Sequence, residues 1–225
     1  TLQQTYAQIL ADLEEAEKFV TRKGVSQSSS ITTDVITAFK ARVALGMKDY
    51  DTARIAAEAV IATKKYTLVS NATTYAEGWI NDNLSETIFQ LAMINSTEVG
   101  NAYSYFLYNS SGIEGRDNPQ YIPEDWVLDL YDKNKDIRYA AYFDERTVTT
   151  PVVGKMTLLI KYPGNPKLYT KVTNYCNMPK VFRASEMYLI AAEAEYLSPN
   201  GSIAKANSYL NDLRKARIKG WSEKT

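Results

Sequence analysis

Residues 101–121 read NAYSYFLYNSSGIEGRDNPQY, and this stretch is the one constellation in the sequence whose residue types suit ligand recognition. Tyr103, Tyr105, Phe106, Tyr108 and Tyr121 offer aromatic faces, while Asn101, Asn109, Arg116, Asp117, Asn118 and Gln120 offer hydrogen-bonding groups. Aromatic faces stack on the apolar C–H face of a sugar ring, and amides, carboxylates and guanidinium groups bind its hydroxyls. A surface with both ingredients suits carbohydrate, or an extended peptide. If residues 103–108 form a strand, Tyr103, Tyr105 and Leu107 share one face and Phe106 and Tyr108 the other. The run NSSGIEGRDNPQ is too rich in Gly, Asn and Pro to continue a strand and is expected as a surface loop. The expectation is mixed: one aromatic set is buried as an anchor, and Tyr105, Tyr108 or Tyr121 stands exposed near Arg116 and Asn118. The candidate ligand-binding residues are Tyr103, Tyr105, Tyr108, Arg116, Asn118 and Tyr121. Trp79, in YAEGWIND, could supply a further ring, although a lone Trp more often packs beneath a loop.

Other chemistry is excluded by what the sequence lacks. It contains no histidine, which removes the usual general base, the usual zinc ligand and every Ser-His or Cys-His pair. A single cysteine, Cys176, permits neither an internal disulfide nor a thiolate cluster. DKNKDIR begins like a calcium loop with Asp132, Asn134 and Asp136. Ile137 replaces its turn glycine and Phe143 its bidentate acid, so a solvated inter-helix turn is expected. Glu193 and Glu195 lie two apart on a helix and point to different faces, and Asp144 and Glu145 are expected in a loop. There is no phosphate-cradling glycine loop and no G-x-S-x-G elbow. No catalytic residue, metal or cofactor is therefore expected. Lys+Arg and Asp+Glu both number 26, and that balance argues against nucleic acid, which demands a basic face. No apolar run approaches a membrane span.

Helices must position the constellation. Tyr6, Ile9, Leu10, Leu13, Ala16 and Val20 repeat at helical spacing, with Asp12, Glu14, Glu15 and Lys18 opposite. After the polar loop RKGVSQSSS, Thr32 or Thr33 can cap a helix carrying Ile36, Phe39, Val43 and Met47. Its second stripe, Ala38, Ala41 and Leu45, lets another helix approach closely. The MKDYD turn leads to a helix with Tyr50, Ala53, Ala57, Val60 and Ile61, so residues 33–63 read as an antiparallel pair. Gly46, Tyr50, Ala53 and Ala57 resemble the small-and-aromatic pattern of a tetratricopeptide (TPR) hairpin. A second pair, residues 182–217, runs through MYLIAAEAEYL, the turn SPNG and IAKANSYLNDLRKAR. Between the pairs, ETIFQLAMI from Glu86 and KMTLLIKYPGNP read as strands. Pro123, Glu124, Asp125 and Lys133 favour a helix of about two turns. The fold class is mainly α: TPR-like antiparallel helix pairs with an irregular, aromatic-rich insertion containing short strands. One domain over 1–225 is expected, helical over 1–66, inserted over about 67–180 and helical again over 181–219.

In order along the chain, YAQILADLEEA, TTDVITAFKARVALGMKDYDTARIAAEAVIATKKYTL, NDNLSETIFQLA and VFRASEMYLIAAEAEYL…AKANSYLNDLRKAR resemble the SusD/RagB family of outer-membrane nutrient-binding lipoproteins of Bacteroidetes-type bacteria. The blocks A-R-V-x-L-x-x-x-D-Y-x-x-A and R-x-x-E-x-Y-L-x-A-A-E-A carry the likeness in combination. The resemblance implies a TPR-rich α fold whose insertion contributes to a glycan site. It also implies a place at the cell surface, lipid-anchored through a segment absent from this sequence, as a lid on a TonB-dependent, SusC-like transporter. The implied ligand is an oligosaccharide, or a peptide, and no catalysis is implied. The lipobox cysteine, the N-terminal helices and the late segment expected of the family are missing, so the sequence resembles a central-to-late piece of a longer protein. The alternative from another class is a TPR-type protein- or peptide-binding scaffold with its groove on the concave helix surface. Polar and aromatic residues exposed on the helices would favour the scaffold, and exposure on the insertion the glycan binder.

Overall fold

Each helix of the N-terminal region starts and stops where its side chains satisfy the free backbone groups. α1, Leu2–Phe19, opens on a capping box between Thr1 and Gln4. α2, Thr33–Met47, is capped by Thr32, whose hydroxyl accepts from the Val35 N–H. Lys48 ends it in the left-handed region, at φ 64°, and Asp49 at once caps α3, Tyr50–Ala62, by accepting from the Thr52 N–H. That two-residue junction forces the antiparallel pair expected from the sequence. A computed structural model describes residues 1–24, 29–93, 117–149, 153–168 and 177–223.

The second pair is also present, as α7, Ala184–Leu197, and α8, Ile203–Arg217. Ser202 caps α8, and the Ser202 N–H donates to the Glu195 carboxylate at 2.6 Å. Gly201 is required in this turn, because a Cβ there would run into the Glu195 carbonyl. Ala38, Ala41, Ala53 and Ala57 are buried where α2, α3 and α7 meet, together with Ala191 and Ala194. These methyl-sized contacts let three helices pack closely around Val35, Val60, Met187 and Ile190. α1 contributes only Leu13 as a fully buried residue and leans its half-buried stripe on α2, where Lys40 and Glu17 pair at 2.7 Å.

Between the pairs, β1, Thr87–Gln90, lies antiparallel to β4, Lys180–Arg183, and Ile88 and Phe182 close the lower end of the helical core. The second expected pair thus begins as a strand: Phe182 and Arg183 precede α7. β2, Phe143–Val148, pairs with β3, Gly154–Leu159. Asp144 and Glu145, expected in a loop, are therefore in a strand, with Asp144 opposite Leu158 and Glu145 opposite Thr157. Short helices α4, Ala72–Ile80, α5, Asp125–Leu128, and α6, Ile137–Tyr142, complete the insertion. α5 is a single turn rather than two. Its cap is Glu124, so Pro123 stands outside the helix, and a turn follows Leu128 directly. The DKNKDIR segment is the inter-helix turn expected of it. The Asp132 carboxylate accepts from the Asn134 and Lys135 N–H groups, and Asp136 caps α6.

A second core, mostly aromatic, fills the insertion. Tyr75 and Trp79 from α4, Leu128 from α5, Ala141 and Tyr142 from α6 and Phe143 from β2 are all buried in it. A bidentate ion pair joins the two cores. Arg217, in the last turn of α8, donates to both Glu86 oxygens at 2.6 Å and to the Val69 carbonyl at 2.7 Å. The Val69 N–H returns a bond to Glu86 at 2.8 Å, and the Ala184 N–H donates to the Glu86 carbonyl at 2.8 Å.

Candidate functional surface of the insertion

The segment from Asp117 to Leu130 is built to hold side chains outward on a fixed backbone. Asp117 bridges to the end of β2: its N–H donates to Thr147 at 2.8 Å and its carbonyl accepts from Thr149 at 3.0 Å. Burial raises the pKa of the Asp117 carboxyl, and Arg146, at 3.5 Å, opposes that rise. Pro119 is buried, while Asn118 and Gln120 on either side of it are exposed, an alternation that fits extended backbone. Tyr121 then stands 65% exposed, with Ile122 beside it. At the far end Leu128 plugs α5 into the aromatic core.

On α5 the helical rotation of about 100° per residue puts Trp126 opposite Leu128. Trp126 is 65% exposed, and Leu130, four residues on, is exposed with it. The surface thus offers aromatic rings at Tyr121 and Trp126 among the polar groups of Asn118, Gln120, Glu124 and Asp125, all exposed. Of the candidate residues, Asn118 and Tyr121 are exposed here. Trp126 is the residue that sequence reasoning passed over. Its signal was legible: Val127, Leu128 and Tyr131 follow the i, i+1, i+4 inward spacing, which leaves Trp126 and Leu130 on the outer face. Tyr103, Tyr105, Tyr108 and Arg116 lie outside the described residues, as does Cys176.

Trp79 needs correction. It is 1% exposed, and its ring meets Tyr162 edge-on at 5.2 Å, Tyr142 at 5.7 Å and Tyr75 at 6.3 Å. Cations lie over its ring: Lys161, Lys180 and Arg183 are 4.8, 5.0 and 5.2 Å from the centroid. No face of Trp79 is open to stack on a sugar. The reason is its position on α4, one turn after Tyr75, on the side that faces α6 and the rest of the insertion core. Behind it a buried polar set fixes the chain ends of the insertion. Asn177 donates to the Trp79 and Ile80 carbonyls and to Asp82, each at 3.1 Å, and Lys180 pairs with Asp82 at 2.9 Å. Burial lowers the Lys180 pKa in spite of that partner, and it pushes the Tyr142 hydroxyl, bonded to Tyr75, upward.

Among the described residues no group of His, Cys, Asp and Glu could hold a metal, and no helix is long and apolar enough to cross a membrane. Glu195 is buried in an ion pair with Lys205 at 3.1 Å while Glu193 is exposed, so the two carboxylates do not converge.

The sequence matches no family model and no curated protein. Solved structures do match. A SusD superfamily protein from Bacteroides thetaiotaomicron aligns over 96% of this chain and 48% of its own, with a TM-score of 0.73 and 26% identity. Surface glycan-binding protein A from the same organism, in complex with laminarihexaose, aligns over 100% of this chain and 56% of its own, with a TM-score of 0.77 and 18% identity. A laminarin-binding SusD-like protein aligns over 96% and 54%, with a TM-score of 0.70 and 22% identity. The chain spans about half the length of the structures that it matches. With its paired helices around an alanine-lined core and an aromatic insertion between them, this chain has a fold similar to that of SusD superfamily proteins.

Proposed function

We propose that this chain is part of a non-catalytic, cell-surface nutrient-binding lipoprotein that takes up oligosaccharide and passes it to a TonB-dependent, SusC-like transporter of the outer membrane. The observation that carries the reading is the pair of exposed rings, Tyr121 and Trp126, on a backbone pinned at Asp117, Pro119 and Leu128. Rings held this way stack on sugar faces at little entropic cost, and Asn118 and Gln120 supply hydroxyl partners. Similar structures include a laminarin-binding protein and a laminarihexaose complex, which makes β-glucan the first ligand to try. Tyr103, Tyr105, Tyr108 and Arg116 remain candidates for ligand binding by their residue types alone.

Electrophoresis through glycan-containing gels, followed by calorimetry with the glycan that retards the protein, tests the reading. Trp126→Ala and Tyr121→Ala should each weaken binding more than tenfold, about 2 kcal/mol, without changing the melting temperature. Unchanged affinity in both variants removes this surface from the site, and release of reducing ends from the glycan removes the binding-only assignment. A peptide-binding scaffold is the second reading, favoured by Phe39, Ile55, Leu189 and Tyr196, which are exposed on α2, α3 and α7. Peptide binding that survives Trp126→Ala but is lost in Tyr196→Ala would select it.

A further inference from the structure

Beneath the exposed surface, the charges around Trp79 do not balance. Lys161, Lys180, Arg183 and Arg217 all lie over rings of the aromatic core. The acidic partners are Asp82, taken by Lys180 at 2.9 Å, and Glu86, taken by Arg217 at 2.6 Å and approached by Arg183 only at 3.9 Å. Lys161 has none. Its ammonium sits 4.8 Å from the Trp79 centroid and 5.0 Å from that of Tyr142, and among the described residues it makes no hydrogen bond or ion pair. A second group there is also unmet: the buried indole Nε1 of Trp79 has no acceptor among the described residues. A buried donor without a partner is costly, and an unpaired half-buried cation more so. Both deficits call for a hydrogen-bond acceptor, and the ammonium calls for negative charge as well.

We propose that Lys161, Arg183 and the Trp79 indole N–H form a binding site for a carboxylate, carried either by an acidic sugar or by a small free acid. A carboxylate accepts from several donors at once, and the guanidinium fork of Arg183, held only loosely by Glu86, suits its planar pair of oxygens. Lys161 faces Trp79 of α4, Tyr142 of α6 and the cations Lys180 and Arg183 of β4, with no anion among them. Burial and those two cations bring its pKa down to about 8, and a bound carboxylate would restore it. This site is separate from the Trp126 surface and does not depend on the function proposed for it.

The test follows the indole N–H resonance of Trp79 in the ¹⁵N-labelled protein, assigned by elimination with Trp126→Phe and Trp221→Phe. Sodium acetate and methyl glucuronide should move that resonance saturably, and methyl glucoside at equal concentration should not. Movement with acetate alone assigns the site to small acids, and movement with both admits acidic sugars. Lys161→Gln should weaken the response at least tenfold while Lys161→Arg, which keeps the charge, should retain it. A resonance that stays still with both acids, or that moves equally in Lys161→Gln, overturns the proposal and leaves the cation held by aromatic faces alone. Trp126→Ala should keep the acetate response even where it abolishes binding of neutral glycan, so the two readings fail independently.

Discussion

Trp126 keeps its indole in water because Leu128, on the opposite side of α5, takes the inward position; Trp79 loses its own because Tyr75, Tyr142 and Tyr162 close around it. The same side chain is therefore exposed to water in one place and structural filling in the other. Lys161 is the residue with most at stake beside that filling. Its pKa in the folded chain, about 8, lies below the ordinary 10.5, so the unfolded chain binds more protons between those values. Stability should accordingly rise with pH from about 8 to about 10.5 through this group, and below pH 8 the full penalty of burying the ammonium is present. The cation–π contacts to Trp79 and Tyr142 recover part of that penalty. Lys161→Met should raise the melting temperature at pH 7 by about 2–4 °C, the equivalent of about 1 kcal/mol, and the gain should shrink by pH 10. Thermal melts at both pH values check the sign; a loss of stability at pH 7 would mean that the aromatic faces outweigh desolvation.

The helix pairs rest on alanine contacts, and that is why they were legible. Ala38, Ala41, Ala53 and Ala57 repeat at helical spacing and bracket an Asp-capped turn, so periodicity, cap and small-residue stripe all agree. Ala53→Leu should overpack the contact of α3 with α2 and α7 and cost about 1–3 kcal/mol in urea denaturation. A variant as stable as the parent would mean that the helices can separate without loss. The insertion was less legible for equally physical reasons. β2 carries Asp144, Glu145 and Arg146 in sequence, a run that reads as loop and becomes a strand only because β3 supplies a partner with Lys155 opposite Thr147, its ammonium reaching Glu145. α4 is too short for its periodicity to stand out. Its Asn71 cap, which accepts from the Thr74 N–H, was the readable sign. Of the candidate surface, Asn118 and Tyr121 followed from composition, whereas Trp126 required the rotation of a one-turn helix to be worked out.

At the scale of the molecule, Glu86 and Arg217 decide whether the two cores behave as one. Each is buried, each satisfies the other with two bonds of 2.6 Å, and Val69 and Ala184 are tied to the same carboxylate residue. Arg217→Met leaves that carboxylate buried with only Arg183, at 3.9 Å, as counter-charge and should cost about 3–5 kcal/mol. Hydrogen exchange should then accelerate in α4 and α6 as well as in α8. Acceleration confined to α8 would show that the cores open separately. The β1–β4 pairing has its own consequence. The Leu91 N–H donates to the Pro179 carbonyl at 3.0 Å, so the chain leaves the helical body and returns to it at a single point. Residues between those two that stay clear of the aromatic core and of the Asp136–Ile218 bridge can change without altering where the flanking helices begin. Variation confined to such residues would reshape the exposed surface and leave the helices as they are.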